Sequence, residues 1–181
     1  MNSSKDIITL ALDPSTKSTG WALFEGTELT GYGVITAGSN NLFHRIDKII
    51  EGLSAIIKEY KPTRVVIEDV IPEDVKHNQN VFNALKYLQG YILHTLDDYK
   101  LTNYDFFTSS EWRSKCGITT GRGIKRESLK PQDIAFVQRY YNIVVNDDIA
   151  DAICLGYAAT NKPIPTKLDL TPMIVDGFEF K

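Results

Sequence analysis

Two acidic residues stand out by their position in the chain. Asp13 follows the apolar run Ile7-Ile8-Thr9-Leu10-Ala11-Leu12, and Glu68 follows Val65-Val66-Ile67. Short continuous runs of this kind, rich in β-branched residues, read as strands buried on both faces. A carboxylate at the edge of a core is costly unless it is paired or binds a metal. If the two strands are parallel neighbours, both carboxylates leave the sheet at the same edge, the one at which α/β sheets bind ligands. A third acidic group lies in Asn146-Asp147-Asp148-Ile149-Ala150-Asp151. Asn146 suits a helix N-cap, and acids in the first turn are partly explained by the helix dipole. Asp148 and Asp151 share a helix face, but so do Asp147 and Asp151, so spacing alone does not choose between the pairs. Carboxylates from two strands and one helix suit hard divalent cations such as Mg²⁺. Two such ions about 3.5–4 Å apart can activate a water and stabilise the leaving oxygen in phosphodiester cleavage.

The elements that must position these acids follow from periodicity. After the first strand, Asp13-Pro14-Ser15 is a turn signal. Trp21–Glu25 and Gly31–Thr36 read as two further strands joined near Gly26-Thr27, which together make an antiparallel meander. Leu42, Ile46, Ile49, Leu53, Ile56 and Ile57 follow helical spacing, with Asn40 or Asn41 as cap and Pro62 beyond the end. The strand Arg64–Asp69, a polar loop from Pro72 to Asn80 and a long helix over about Val81–Tyr99 come next. A strand at Tyr104–Thr108, a short helix around Trp112, a helix broken or started near Pro131 and a last helix at Asp147–Thr160 complete the order. This β-β-β-α-β-α-β-α order predicts an α/β chain, a mixed sheet with helices on its faces. Residues 1–161 read as one domain. The proline-bearing stretch 162–181 reads as a surface tail.

Bulk properties bound the reading. The chain has 181 residues, 43% of them hydrophobic, enough for one core. A net charge of -3 argues mildly against nucleic acid, but an acidic cluster that binds cations reverses its local sign. Charge is unevenly spread. Between Trp112 and Lys130 the bases Arg113, Lys115, Arg122, Lys125, Arg126 and Lys130 face only Glu127, on a loop with glycines that allow close approach to phosphates. These residues, with Lys17, are the expected DNA contacts, and Trp112 is expected to be a core anchor. Cys116 and Cys154 have no zinc-ligand spacing and read as thiols of a reducing compartment. His44, His77 and His94 lack partners at ligand spacing, though His77, in the loop after Glu68, could touch DNA. The apolar run at 7–12 is too short for a signal or a membrane span, so a cytoplasmic protein is expected.

Four segments in order resemble the RuvC family of Holliday-junction resolvases. Leu10-Ala11-Leu12-Asp13-Pro14-Ser15-Thr16-Lys17-Ser18-Thr19-Gly20 is similar to its first motif, and Val65-Val66-Ile67-Glu68 to its second. Asn83–Gly90 resembles the long helix that follows, and Asp148-Ile149-Ala150-Asp151-Ala152 the D-x-x-D-A motif of the last helix. The segments Ser110–Arg113 and Lys125–Lys130 look more like phage-type members. The resemblance implies a ribonuclease-H-like mixed five-stranded sheet flanked by helices. It implies metal-dependent hydrolysis of branched DNA, with Asp13, Glu68, Asp148 and Asp151 as catalytic residues and metal ligands. It also implies Mg²⁺, or Mn²⁺ in its place, two ions per site, and a homodimer formed through the helix near Val81–Leu96. Bacterial members carry an aromatic wedge three residues after the second-motif Glu. That position is Ile71 here, which leaves looser cutting of branched DNA open.

Rival readings are an actin- or sugar-kinase-like phosphotransferase, a non-catalytic branched-DNA binder, and a nuclease for structured RNA. The first needs a second glycine-rich phosphate loop, and the chain has no good one.

Overall fold

The computed structural model describes residues 7–72, 78–118 and 126–161, the side chains of residues 126 and 127 excepted. The strands are β1 (Ile8–Asp13), β2 (Ser18–Glu25), β3 (Glu28–Thr36), β4 (Arg64–Glu68) and β5 (Tyr104–Phe107). The helices are α1 (Leu42–Tyr60), α2 (Gln79–Asp98), α3 (Ser109–Lys115), α4 (Arg126–Tyr141) and α5 (Asp147–Thr160). The strands form one mixed five-stranded sheet in the order β3-β2-β1-β4-β5. β1, β2 and β3 are the expected antiparallel meander, turning at Gly26-Thr27, with Gly26 at φ 60°. β4 and β5 add on in parallel.

Alternation along the strands divides the core in two. Leu10, Leu12, Val65 and Ile67 face α1 and α2, where Ile46, Ile49, Leu53, Leu88 and Ile92 are buried. Ala11, Ala22, Phe24 and Val66 face the other way, against Trp112, Val137 and the residues of α5. The split explains the sequence of α5. It lies against the middle of the sheet and is buried from Ala150 through Gly156, so its contacts use Ala and Gly. A Cβ on Gly156 would come within 2.2 Å of the Phe24 ring.

Several element boundaries differ from expectation. β2 starts at Ser18 and β3 at Glu28, each three residues earlier than read from the sequence. α2 starts at Gln79, capped by the Asn78 side chain. α4 runs through Pro131 rather than breaking there. Proline removes one i→i−4 bond, and the continuing helix is held by the buried Phe136 and Val137 on its inner face.

Candidate active site

Parallel pairing sets the two strand-end acids side by side. Leu12 lies opposite Ile67, so the next residues, Asp13 and Glu68, end their strands at the same level. Both share strand parity with Ala11 and Val66 and belong to the α5 face. α5 enters that edge because its N-terminus fits against a glycine. A Cβ on Gly20 would meet the Asp148 carbonyl oxygen at 2.0 Å, so no larger residue permits this approach. The Asn146 side chain caps the helix by accepting from the Ile149 N–H.

Each acid has its own surroundings. Asp148 accepts a 2.5 Å hydrogen bond from the Ser18 hydroxyl at the start of β2. Glu68 accepts from the indole Nε1–H of Trp112 at 2.9 Å. Asp147 is bonded by the Lys130 ammonium, which holds its carboxyl below the usual range. The sequence left Asp147 and Asp148 open. In the structure Asp147 is paired to Lys130, and Asp148 faces the β1–β2 turn through Ser18. Asp151 is the deepest, 6% exposed. Burial first, then the charges of Asp13, Asp133 and Glu68, push its carboxyl up to about 9, against the opposing pull of Arg113. The mutual effect of these groups is the electrostatic sign that the acids converge.

Donor chemistry at the edge fits a hard cation. Asp151 Oδ1 is buried with no hydrogen-bond partner, and such an atom needs a partner that the protein does not supply. A cation would relieve both the orphaned oxygen and the like-charge crowding. Among the described residues, no three acidic, imidazole or thiol side chains are drawn close enough to enclose an ion. Ser18 and Trp112 hold two of the acids, Asp148 and Glu68, by hydrogen bonds.

A model of the RuvC family, crossover junction endodeoxyribonuclease, matches residues 9–158. The chain belongs to the RuvC family. The match covers every element that carries an acid, and the family is one of metal-dependent endonucleases. The RuvC crossover junction endodeoxyribonuclease of Ehrlichia ruminantium is 28% identical over 159 residues, 82% of this chain and 96% of its own. RuvC of T. thermophilus, solved in complex with a Holliday junction substrate, superposes with a TM-score of 0.68 at 11% identity over 87% of this chain and 99% of its own. The Fowlpox virus resolvase, solved with Holliday junction DNA, gives 0.52 at 14% identity, over 85% and 97%. These two likenesses show the shared ribonuclease-H-like fold.

For a RuvC chain the expected basic contacts are unevenly placed. Lys17 is exposed on the turn after Asp13. Lys115 is half-buried, with its ammonium 4.2 Å from the centre of the Phe107 ring. Lys130 is engaged with Asp147. Arg126 belongs to α4, but its side chain lies outside the described residues, as do Arg122, Lys125 and His77. Arg113 is a correction. It is 5% exposed and forks onto Asp133, so it faces the interior and is not a surface contact for DNA. Burial works against its charge, but the bonds and charge of Asp133, then Asp151 and Glu68, outweigh that and hold it above its ordinary value. Trp112 is the expected core anchor, fully buried, and its bond to Glu68 was not legible. Ser18, Gly20 and Asp133 were also missed as site residues. Ser18 and Gly20, both within the first motif, carried a signal that could have found them, and Asp133 carried none.

Proposed function

We propose that Asp13, Glu68, Asp148 and Asp151 form a divalent-metal site that hydrolyses phosphodiester bonds in branched DNA, four-way junctions above all. The carrying observation is the convergence of Asp13 and Glu68 at one sheet edge beside Asp151, whose Oδ1 is buried and unpartnered. Mg²⁺, with Mn²⁺ able to replace it, at two ions per site, matches an all-oxygen donor set. Such ions supply the Lewis-acid chemistry of phosphodiester hydrolysis. The protein's part is to hold the acids. Ser18 fixes Asp148, Trp112 fixes Glu68, and Gly20 admits the α5 N-terminus. The nuclease unit is residues 1–161, with 162–181 as its tail. Lys17, Lys115 and Lys130, with Arg122, Lys125 and Arg126, supply the salt-dependent grip on the phosphate backbone.

The same reading includes a homodimer. Phe43, Lys86, Tyr87, Gly90, Tyr91 and His94 line an apolar groove of about 350 Å³ between α1 and α2. Phe43 and Tyr87 stack there with 51% of each exposed. Large aromatics left this open, on the helix named for dimerisation, fit self-association. No helix among the described residues is long and apolar enough to cross a membrane.

The test is cleavage of a synthetic four-way junction, a replication fork and a linear duplex in Mg²⁺ and in Mn²⁺. Junction cutting that exceeds duplex cutting and stops on chelation supports the reading. Cleavage of all three at equal rates would reject branched DNA as the substrate. Tight junction binding with no cutting in either ion would favour a non-catalytic binder.

A further inference from the structure

Asp151 is held from behind. Arg113 on α3 and Asp133 on α4 form a buried fork, 5% and 0% exposed. Arg113 Nε donates to both Asp133 oxygens at 3.2 and 3.1 Å, and Nη2 donates to Oδ2 at 2.9 Å. The same Nη2 lies 3.6 Å from Asp151 Oδ2. The guanidinium also stacks 4.1 Å from the centre of the Trp112 ring, whose indole holds Glu68. One cation thus touches both the fixture of Glu68 and one oxygen of Asp151. The other Asp151 oxygen has no partner.

We propose that Arg113, held by Asp133, is a positioning residue that fixes Asp151 through Oδ2 and leaves Oδ1 available to a divalent cation. This rests on the reading of Asp151 as a metal ligand. An ion pair that served only to staple α3 to α4 would need no third partner. Here the fork reaches past Asp133 to Asp151 on α5. The planar shape matters as well as the charge, because only a guanidinium can fork onto one carboxylate while stacking on an indole and facing a second acid. A lysine at the position keeps the charge and loses the geometry. Such outer partners of metal ligands change ion affinity by about 10–100-fold when removed.

The experiment is a Mn²⁺ titration without DNA, followed by the electron paramagnetic resonance signal of free Mn²⁺. It compares the native chain with Arg113→Lys, Arg113→Met, Asp133→Asn and Asp151→Asn. Junction binding in EDTA and thermal unfolding are measured alongside. A half-removed buried pair can prevent folding, so Arg113→Met/Asp133→Leu, which removes both charges together, is included. The expected result is Mn²⁺ affinity weaker by at least about tenfold in Arg113→Met, Arg113→Lys and the double variant. Asp133→Asn should show a smaller loss in the same direction, and metal-free junction binding should be unchanged. Native-like Mn²⁺ affinity in the folded Arg113 variants or in the double variant would overturn the proposal. So would tighter binding, which would mean that Arg113 acts on the ion only as a repelling charge. Restoration of affinity by Arg113→Lys would likewise replace positioning by charge alone. Asp151→Asn separates the two layers. If it binds Mn²⁺ as the native chain does, the ligand reading fails. If it loses Mn²⁺ while the Arg113 variants keep it, only the role of Arg113 fails.

Discussion

Helices α5 and α2 lie on opposite faces of the same sheet and are packed in opposite ways. α5 is buried on nearly every side and meets the sheet through Gly156 and, at Gly20, through a glycine of β2. α2 buries Leu88, Ile92 and Leu96 but leaves Val81, Tyr87 and Tyr91 more than 40% exposed. A helix that carries charged groups into a core must be fixed in place, and close backbone approach does that. A helix with open aromatics has its inner half satisfied and its outer half available. The two also differ in how they bear on the acids. α5 supplies Asp148 and Asp151 itself. α2 acts at a distance: Lys86 and Gln89 both bond Asp69, the residue after Glu68. Burial raises the Asp69 carboxyl, but these bonds outweigh it and hold it below the usual range.

Glycine substitutions separate the helices most sharply. Gly20→Ala forces a methyl into the Asp148 carbonyl, and Gly156→Ala into the Phe24 ring. Each should cost about 3 kcal/mol or more, the upper part of the range for overpacking, as read by urea unfolding, and Gly20→Ala should also lose cleavage. A native-like midpoint for either would mean that α5 is not held as tightly as described. The next effect concerns self-association. Tyr87→Ser with Tyr91→Ser should move the protein toward monomer in sedimentation equilibrium, with little loss of stability because both residues are exposed. An unchanged association constant would remove this face from the interface.

A third effect is set by pH. In the window between the ordinary 3.8 and about 9, folded Asp151 keeps a proton that the unfolded chain releases. The stability this contributes is therefore full below 3.8 and is lost as pH rises toward 9, at up to about 1.4 kcal/mol per pH unit. In metal-free protein, Asp151→Asn should flatten the fall, and Mg²⁺ at pH 8 should raise the melting temperature of the native chain but not of the variant. Equal slopes in chelator would contradict the burial assigned to Asp151. The smallest change is Gly90→Ala on α2, where a Cβ meets nothing within 4 Å. In the Tyr87→Ser/Tyr91→Ser background, where this face is unpaired, it should stabilise by about 0.5–1 kcal/mol through helix propensity.

The acids that end strands were legible because an ionisable group after a buried run is costly and therefore informative. α1 was legible from its 3.6-residue period, and the sheet from the order of its elements. Arg113 was misread for a physical reason. It opens the window 112–130, which is basic as a whole, and its partner Asp133 lies beyond that window on another helix, so local composition described a surface stripe where tertiary structure makes a buried ion pair. The bond from Trp112 to Glu68 was hidden in the same way, since it joins residues far apart in the chain. Asp147 and Asp148 could not be told apart by spacing, because what distinguishes them is Lys130 on one side and Ser18 on the other.

The most direct test of the central claim is single-turnover cleavage of a four-way junction in Mg²⁺ by the native chain and by Asp13→Asn, Glu68→Gln, Asp148→Asn and Asp151→Asn, with junction affinity measured separately in EDTA. Each variant should bind the junction like the native chain and cut it slower by on the order of a thousandfold. Native-like cutting by any two of them would show that these carboxylates are not the site of hydrolysis.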